Sequence, residues 1–134
     1  MMEDHVIRLR GGWFREELDD GHGRIRVTLP VVWPDELTGV VTLLREFQRP
    51  PIDTDQQSIM LRLDDVPGLR SVEFNGTILA RPKNETTRDS FDLTNRIGDR
   101  NRLRLEVDVA LARLEPGSHW GVIALVIGTR GSTA

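Results

Sequence analysis

Arg45-Glu46-Phe47-Gln48-Arg49-Pro50-Pro51 opens the stretch that decides the fold. Ile59-Met60-Leu61-Arg62-Leu63, Val72-Glu73-Phe74-Asn75-Gly76, Phe91-Asp92-Leu93-Thr94 and Asn101-Arg102-Leu103-Arg104-Leu105-Glu106-Val107 complete it. Its period is two. Ile59, Leu61 and Leu63 alternate with Met60, Arg62 and Asp64, and Leu103, Leu105, Val107 and Val109 alternate with charged residues. Upstream, Ile25, Val27 and Leu29 alternate with Arg24, Arg26 and Thr28. Successive side chains of a strand point to opposite faces, so each run describes a strand with one buried and one wet face. That pattern belongs to antiparallel sheets, because parallel sheets are covered on both sides.

Turn signals punctuate these runs. Asp65-Val66-Pro67-Gly68, Gly98-Asp99-Arg100-Asn101 and Pro116-Gly117-Ser118 each separate two of them. Asn75-Gly76 is the strongest local signal, since a type I′ turn needs positive φ at both central residues. It predicts Phe74 opposite Thr77, Glu73 opposite Ile78 and Val72 opposite Leu79. No long stretch carries a helical stripe; Trp13 to Leu18 and Pro34 to Leu37 read as short helical turns. Eight or nine evenly spaced strands imply an all-β, single-domain fold over 1–134, and a jelly-roll β-sandwich fits best. The last strand, Trp120 to Ile127, is apolar on both faces. One face meets the core. The other needs a cover, supplied by the N-terminal segment or a loop, or else by a partner subunit or neighbouring domain.

Composition excludes several classes. A chain of 134 residues buries roughly two-thirds of its unfolded surface and needs no staple. It has no Cys, so thiolate catalysis, disulfides and Cys-ligated zinc are absent. The net charge of −3 argues against a general grip on nucleic acid. Lys83 is the only lysine, and the arginines are interleaved with acids, which describes a solvated strand face with cross-strand ion pairs. The start, Met1-Met2-Glu3-Asp4, leads into no apolar run, and no segment nears the ~20 apolar residues of a membrane span. The expected compartment is cytoplasmic.

Catalytic constellations are missing. His5, His22 and His119 are isolated and no Gly-x-Ser-x-Gly elbow exists. Most of the 21 acids fall in turns or on polar strand faces, without a recognisable acid pair for glycoside hydrolysis.

The order of motifs resembles the N-terminal sugar-binding-type domain of glycoside hydrolase family 2, a galactose-binding-like jelly roll. Leu9-Arg10-Gly11-Gly12-Trp13-Phe14 is similar to the family's opening Leu-x-Gly-x-Trp-x-Phe. Val27-Thr28-Leu29-Pro30 with Trp33, Arg45 with Phe47 and Pro50, and Leu61–Leu63 with Val72 and the Asn75-Gly76 turn follow in the family's order. Phe91-Asp92-Leu93-Thr94, Asn101–Val107 and Trp120-Gly121-Val122 complete the series. Leu43 and Leu44 depart from the pattern, where an aromatic would be usual. The resemblance spans about Leu9 to Ile127. It implies a domain without the catalytic barrel, and so no hydrolytic residue.

The resemblance therefore implies a non-catalytic binding module with carbohydrate as ligand. The alternative is a structural or protein-interaction sandwich, favoured by the final strand and by the scarcity of aromatics. Sugars bind rings and planar polar side chains at loop-bearing ends of such scaffolds. Trp120, His119, Arg81, Asn84 and Asp53 are the candidates, although Trp13, Trp33 and Trp120 also read as packing residues. The long polar loop Arg81 to Asp89 reads as a connection or a recognition loop. No cofactor is expected beyond calcium. Asp53-Thr54-Asp55-Gln56-Gln57 offers Asp53 and Asp55 as oxygen ligands, or else forms a polar turn whose carboxylates cap backbone N–H groups.

Overall fold

The computed structural model describes residues 5–16, 24–80, 88–113 and 117–129. Among them lie ten strands: β1 (His5–Arg8), β2 (Trp13–Glu16), β3 (Arg24–Val27), β4 (Val40–Gln48), β5 (Gln57–Asp64), β6 (Leu69–Phe74), β7 (Thr77–Ala80), β8 (Arg88–Asp92), β9 (Arg100–Asp108) and β10 (Val122–Thr129). One short helix, α1 (Val109–Ala112), follows β9. The strands pair antiparallel in two sheets, ordered β1-β10-β5-β8 and β3-β2-β4-β9-β6-β7. The chain is an all-β sandwich, as the alternation predicts.

The buried halves of the alternating runs meet between the sheets. Ile59, Leu61 and Leu63 of β5 face Leu103, Leu105 and Val107 of β9 and Val41 and Leu43 of β4 in one core cluster. Each such side chain stabilises by about 1.5–3 kcal/mol on burial. The exposed ion pairs, Arg104–Glu73 at 3.4 Å and Arg104–Glu106 at 3.7 Å, contribute ~0–1 kcal/mol each. Burial therefore holds the sheets together, and the interleaved charges only keep the outer face wet.

The Asn75-Gly76 turn forms, with φ of 50° and 85°. Phe74 pairs with Thr77 and Glu73 with Ile78 as predicted, but Val72 pairs with Ala80, not Leu79. A bulge inserts one residue into β7, and Leu79 packs against the core. Trp13–Glu16 is a strand, not a helical turn: β2 is sandwiched between β3 and β4, which supply backbone partners that a single isolated helical turn cannot match. Pro34 to Leu37 does form a turn, Leu37 N–H donating to the Pro34 carbonyl at 3.1 Å. Of the polar loop, Arg88 and Asp89 open β8, paired with Asp64 and Leu63; residues 81–87 lie outside the described residues.

β9 ends where Asp108 caps α1, its carboxylate accepting the N–H groups of Ala110 and Leu111. Gly68 sits against this corner with φ of 79°. A Cβ there would stand 2.5 Å from the Asp108 carbonyl oxygen. β1 pairs edge to edge with β10 instead of lying over its outer face.

Candidate binding surfaces

All three tryptophans are buried. Trp13 is 0%, Trp120 1% and Trp33 3% exposed. The Trp13 indole donates to the Leu9 carbonyl and that of Trp120 to the Pro67 carbonyl, each at 2.8 Å. Trp33 meets Trp120 edge-on, with ring centroids 5.4 Å apart and planes at 61°. Trp120 precedes β10 and bridges to Val31. Trp33 and Trp120 close the core where the Leu29–Trp33 segment meets the start of β10, Trp13 closes it under β2, and none presents an open face on which a sugar could stack.

Of the other sequence candidates, His119, Asp53 and Asp55 lie among the described residues. His119 is exposed at the surface just before Trp120. Asp53 and Asp55 share one turn. The Asp53 carboxylate accepts the Asp55 N–H at 3.0 Å, and its carbonyl accepts those of Gln56 and Gln57. The Asp53 N–H in turn donates to Gln57 Oε1 at 3.0 Å. Arg81 and Asn84 lie outside the described residues. No group of three acidic or histidine side chains suited to a metal ion occurs among the described residues, and no helix among them is long and apolar enough to cross a membrane.

Other carboxylates are turned toward the scaffold. Asp92 accepts the Thr94 N–H at 2.9 Å and its hydroxyl at 2.6 Å, while that hydroxyl accepts the buried Ile59 N–H at 3.1 Å. The Phe91-Asp92-Leu93-Thr94 element is thus a clasp between β8 and β5. Asp89 accepts the Ser90 N–H at 2.9 Å. Asp64 stands 3.3 Å from Arg62 Nε, an ion pair without hydrogen-bond alignment.

A groove of about 310 Å³ opens where β4 and β9 meet the Asn75-Gly76 turn, lined by Glu46, Phe47, Gln48, Asn75, Arg100, Asn101 and Arg102. Register explains the lining. Glu46 pairs with Arg102 and Gln48 with Arg100 on the outer face, while Phe47 and Asn101 pair toward the core. Asn101, only 2% exposed, clamps the floor. Its amide donates to the Gly98 carbonyl at 2.9 Å, and its oxygen accepts from Gly98 N–H at 2.8 Å and from Asn75 Nδ2 at 3.1 Å. Asn75 accepts the Arg102 N–H at 2.7 Å and donates to the Arg96 carbonyl at 3.3 Å. A second groove, of about 360 Å³, is lined by Glu16, Glu73, Gly76, Arg102 and Arg104. Arg102 belongs to both, so they adjoin on the outer face of the six-stranded sheet.

Alternation alone puts Arg100, Arg102 and Arg104 on one strand face; the β4–β9 register that sets them beside Glu46 and Gln48 has no local signal. Arg45 is a further surprise. It sits at a core-facing position opposite Trp13 and Leu103. Partial burial lowers the pKa of its guanidinium from the ordinary value. One terminal nitrogen donates to the Glu46 carbonyl. Gly12, at φ 77°, makes room for it: a Cβ there would come within 2.9 Å of the guanidinium.

The four-stranded sheet carries an apolar row on its outer face. Val6, Val126 and Met60 are register partners across β1, β10 and β5, and Arg8, Ala124 and Arg62 form the next row. Val6 is 41% exposed.

Sheet order and register define this chain as a jelly-roll sandwich, and solved glycosidases contain a domain of like fold. A Bacteroides uniformis β-glucuronidase is 20% identical, with a TM-score of 0.70 over 93% of this chain and 18% of its own. A β-glucuronidase of an uncultured Clostridium sp. is 17% identical, with a TM-score of 0.71 over 94% of this chain and 29% of its own. A β-glucuronidase of glycoside hydrolase family 2 gives 14%, 0.71, 95% and 18% for the same quantities. At these identities the likeness is one of fold. This chain spans less than a third of each matched chain and resembles one domain of it. No protein-family model matches the sequence, and no curated protein matches it.

Proposed function

We propose that this chain works by binding and not by chemistry, as an accessory β-sandwich module for carbohydrate recognition. The observation that carries this reading is the duty of its carboxylates. Glycoside hydrolysis needs two carboxyl groups flanking a bond at separations of about 5–10 Å, both facing the sugar. Here Asp53, Asp89, Asp92 and Asp108 accept local N–H groups, and Asp64, Glu73 and Glu106 face arginines. Likeness to a part of each matched glycosidase supports the same reading. The test is a panel of aryl glycosides and glucuronides incubated with the purified chain, beside a glycan-binding screen. Binding without turnover is expected; turnover lost on replacing one acid by its amide would overturn the proposal.

The apolar row of Val6, Val126 and Met60 favours a second reading, a protein-contact module. A single apolar patch closes most simply on a copy of itself about a two-fold axis. Light scattering would then find a dimer that Val126→Asp splits. A strict monomer over a wide concentration range would contradict it. Calcium at Asp53 and Asp55 is tested by melting with and without chelator; an unchanged melting temperature would remove it.

A further inference from the structure

We infer that the paired grooves on the six-stranded sheet form a binding site for an oligosaccharide bearing carboxylate or sulfate groups, with Arg100 and Arg102 as its anion-recognising residues. The inference rests on the reading of the chain as a binding module, and none of the residues lining the two grooves is among the candidate ligand residues that the sequence offers.

Three observations converge. The first is shape. Cavities of about 300–1,000 Å³ suit small ligands, and two adjoining grooves of about 310 and 360 Å³ share Arg102, so the surface is long enough for more than one sugar ring. The second is rigidity. The floor is fixed by the bonds that tie Asn101 to Gly98 and Asn75, and Asn75 to the Arg102 backbone. A preorganised floor spares the ligand much of the ordering cost that weakens binding to mobile loops.

The third is chemistry. Hydroxyl-rich ligands are read by planar groups that donate and accept in one plane. Gln48 offers an amide, Glu46 a carboxylate and Arg100 and Arg102 two guanidinium forks, with the half-buried Phe47 as an apolar floor. Arg104 is already paired with Glu73 and Glu106. Arg100 and Arg102, by contrast, are exposed and engage no ion pair among the described residues. Against them the first groove sets Glu46, with Asp99 exposed next to Arg100, and the second sets Glu16 and Glu73, of which Glu73 is taken up by Arg104; the Arg96 carbonyl brings a further exposed arginine to the turn. Two exposed forks without an ion-pair partner on one outer strand face match a carboxylate or sulfate bidentately, which a neutral sugar cannot reciprocate.

Titration calorimetry tests this with uronate oligomers and sulfated oligosaccharides, neutral oligomers of equal length, and inorganic sulfate. Wild type, Arg102→Gln and Arg100→Gln are compared; both side chains are exposed, and near-UV circular dichroism checks the fold. The expected result is binding of an anionic oligomer at least tenfold tighter than its neutral counterpart or free sulfate. Added salt weakens it, and either substitution weakens it about tenfold. Equal affinity for neutral and anionic oligomers, or affinity unmoved by both substitutions, overturns the site while leaving a binding module elsewhere on the chain. Sulfate binding as tight as the oligomer's marks a simple anion site and overturns the saccharide assignment. A failure to bind any saccharide overturns this inference and the carbohydrate reading together. A dimer split by Val126→Asp would then support the protein-contact reading alone.

Discussion

Gly68 and Asn101 show how much of this molecule is decided by single residues. A Cβ on Gly68 would stand 2.5 Å from the Asp108 oxygen and 2.8 Å from the Ala112 nitrogen, both backbone atoms. Its φ of 79° adds a left-handed cost of about 1–2 kcal/mol for any other residue. Gly68→Ala is therefore expected to destabilise by more than about 2 kcal/mol in urea denaturation; a loss below half of that would show that the corner gives way. Asn101 was legible only as the end of a turn signal and the start of a strand. Its work, tying Gly98, Asn75 and the Phe47 carbonyl together from a buried position, depends on partners up to 54 residues away. Removing it orphans buried polar groups at about 1–3 kcal/mol each. Asn101→Ala should thus cost at least about 2 kcal/mol. Hydrogen exchange at Gly98 and Arg102 should also quicken, and unchanged exchange would contradict the clamp.

Elements were more legible than contacts. Alternation located β3, β5 and β9, because a strand's side-chain period is a local property, and a run apolar on both faces located β10. The Asn75-Gly76 hairpin was legible for the same reason: positive φ at two successive residues is a demand on two side chains only. What failed was tertiary. Trp13–Glu16 became a strand because β3 and β4 flank it, and β7 carries a bulge that brings Ala80 opposite Val72. β9 stopped at Asp108 although its alternation runs on to Val109, since the Asp108 carboxylate caps α1. Asp108→Ala is expected to lose about 0.5–2 kcal/mol, with the strands intact by far-UV circular dichroism. A loss of strand signal would mean that the cap holds more than the corner.

At the scale of the whole molecule, the two-layer fold and the likeness to a glycosidase domain were legible, but the candidate site was not. Tryptophan is the residue that sequence reasoning offers a sugar, yet here all three rings serve the core. The Trp33–Trp120 contact adds roughly 0.5–1.5 kcal/mol beyond burial. Trp120→Ala should therefore cost about 3–5 kcal/mol and read as a folding defect. If the variant instead kept its melting temperature and lost only ligand affinity, the ring would be a binding platform after all. The grooves on the outer face of the six-stranded sheet depend on β4–β9 register and on a turn 26 residues before Asn101, which no local pattern encodes. The measurement that separates these views is a ¹H–¹⁵N correlation titration with a uronate oligomer. Amide signals of Gln48, Asn75, Arg100 and Arg102 should move while the three indole N–H signals stay fixed. Indole signals that move while the groove amides remain still would contradict the site.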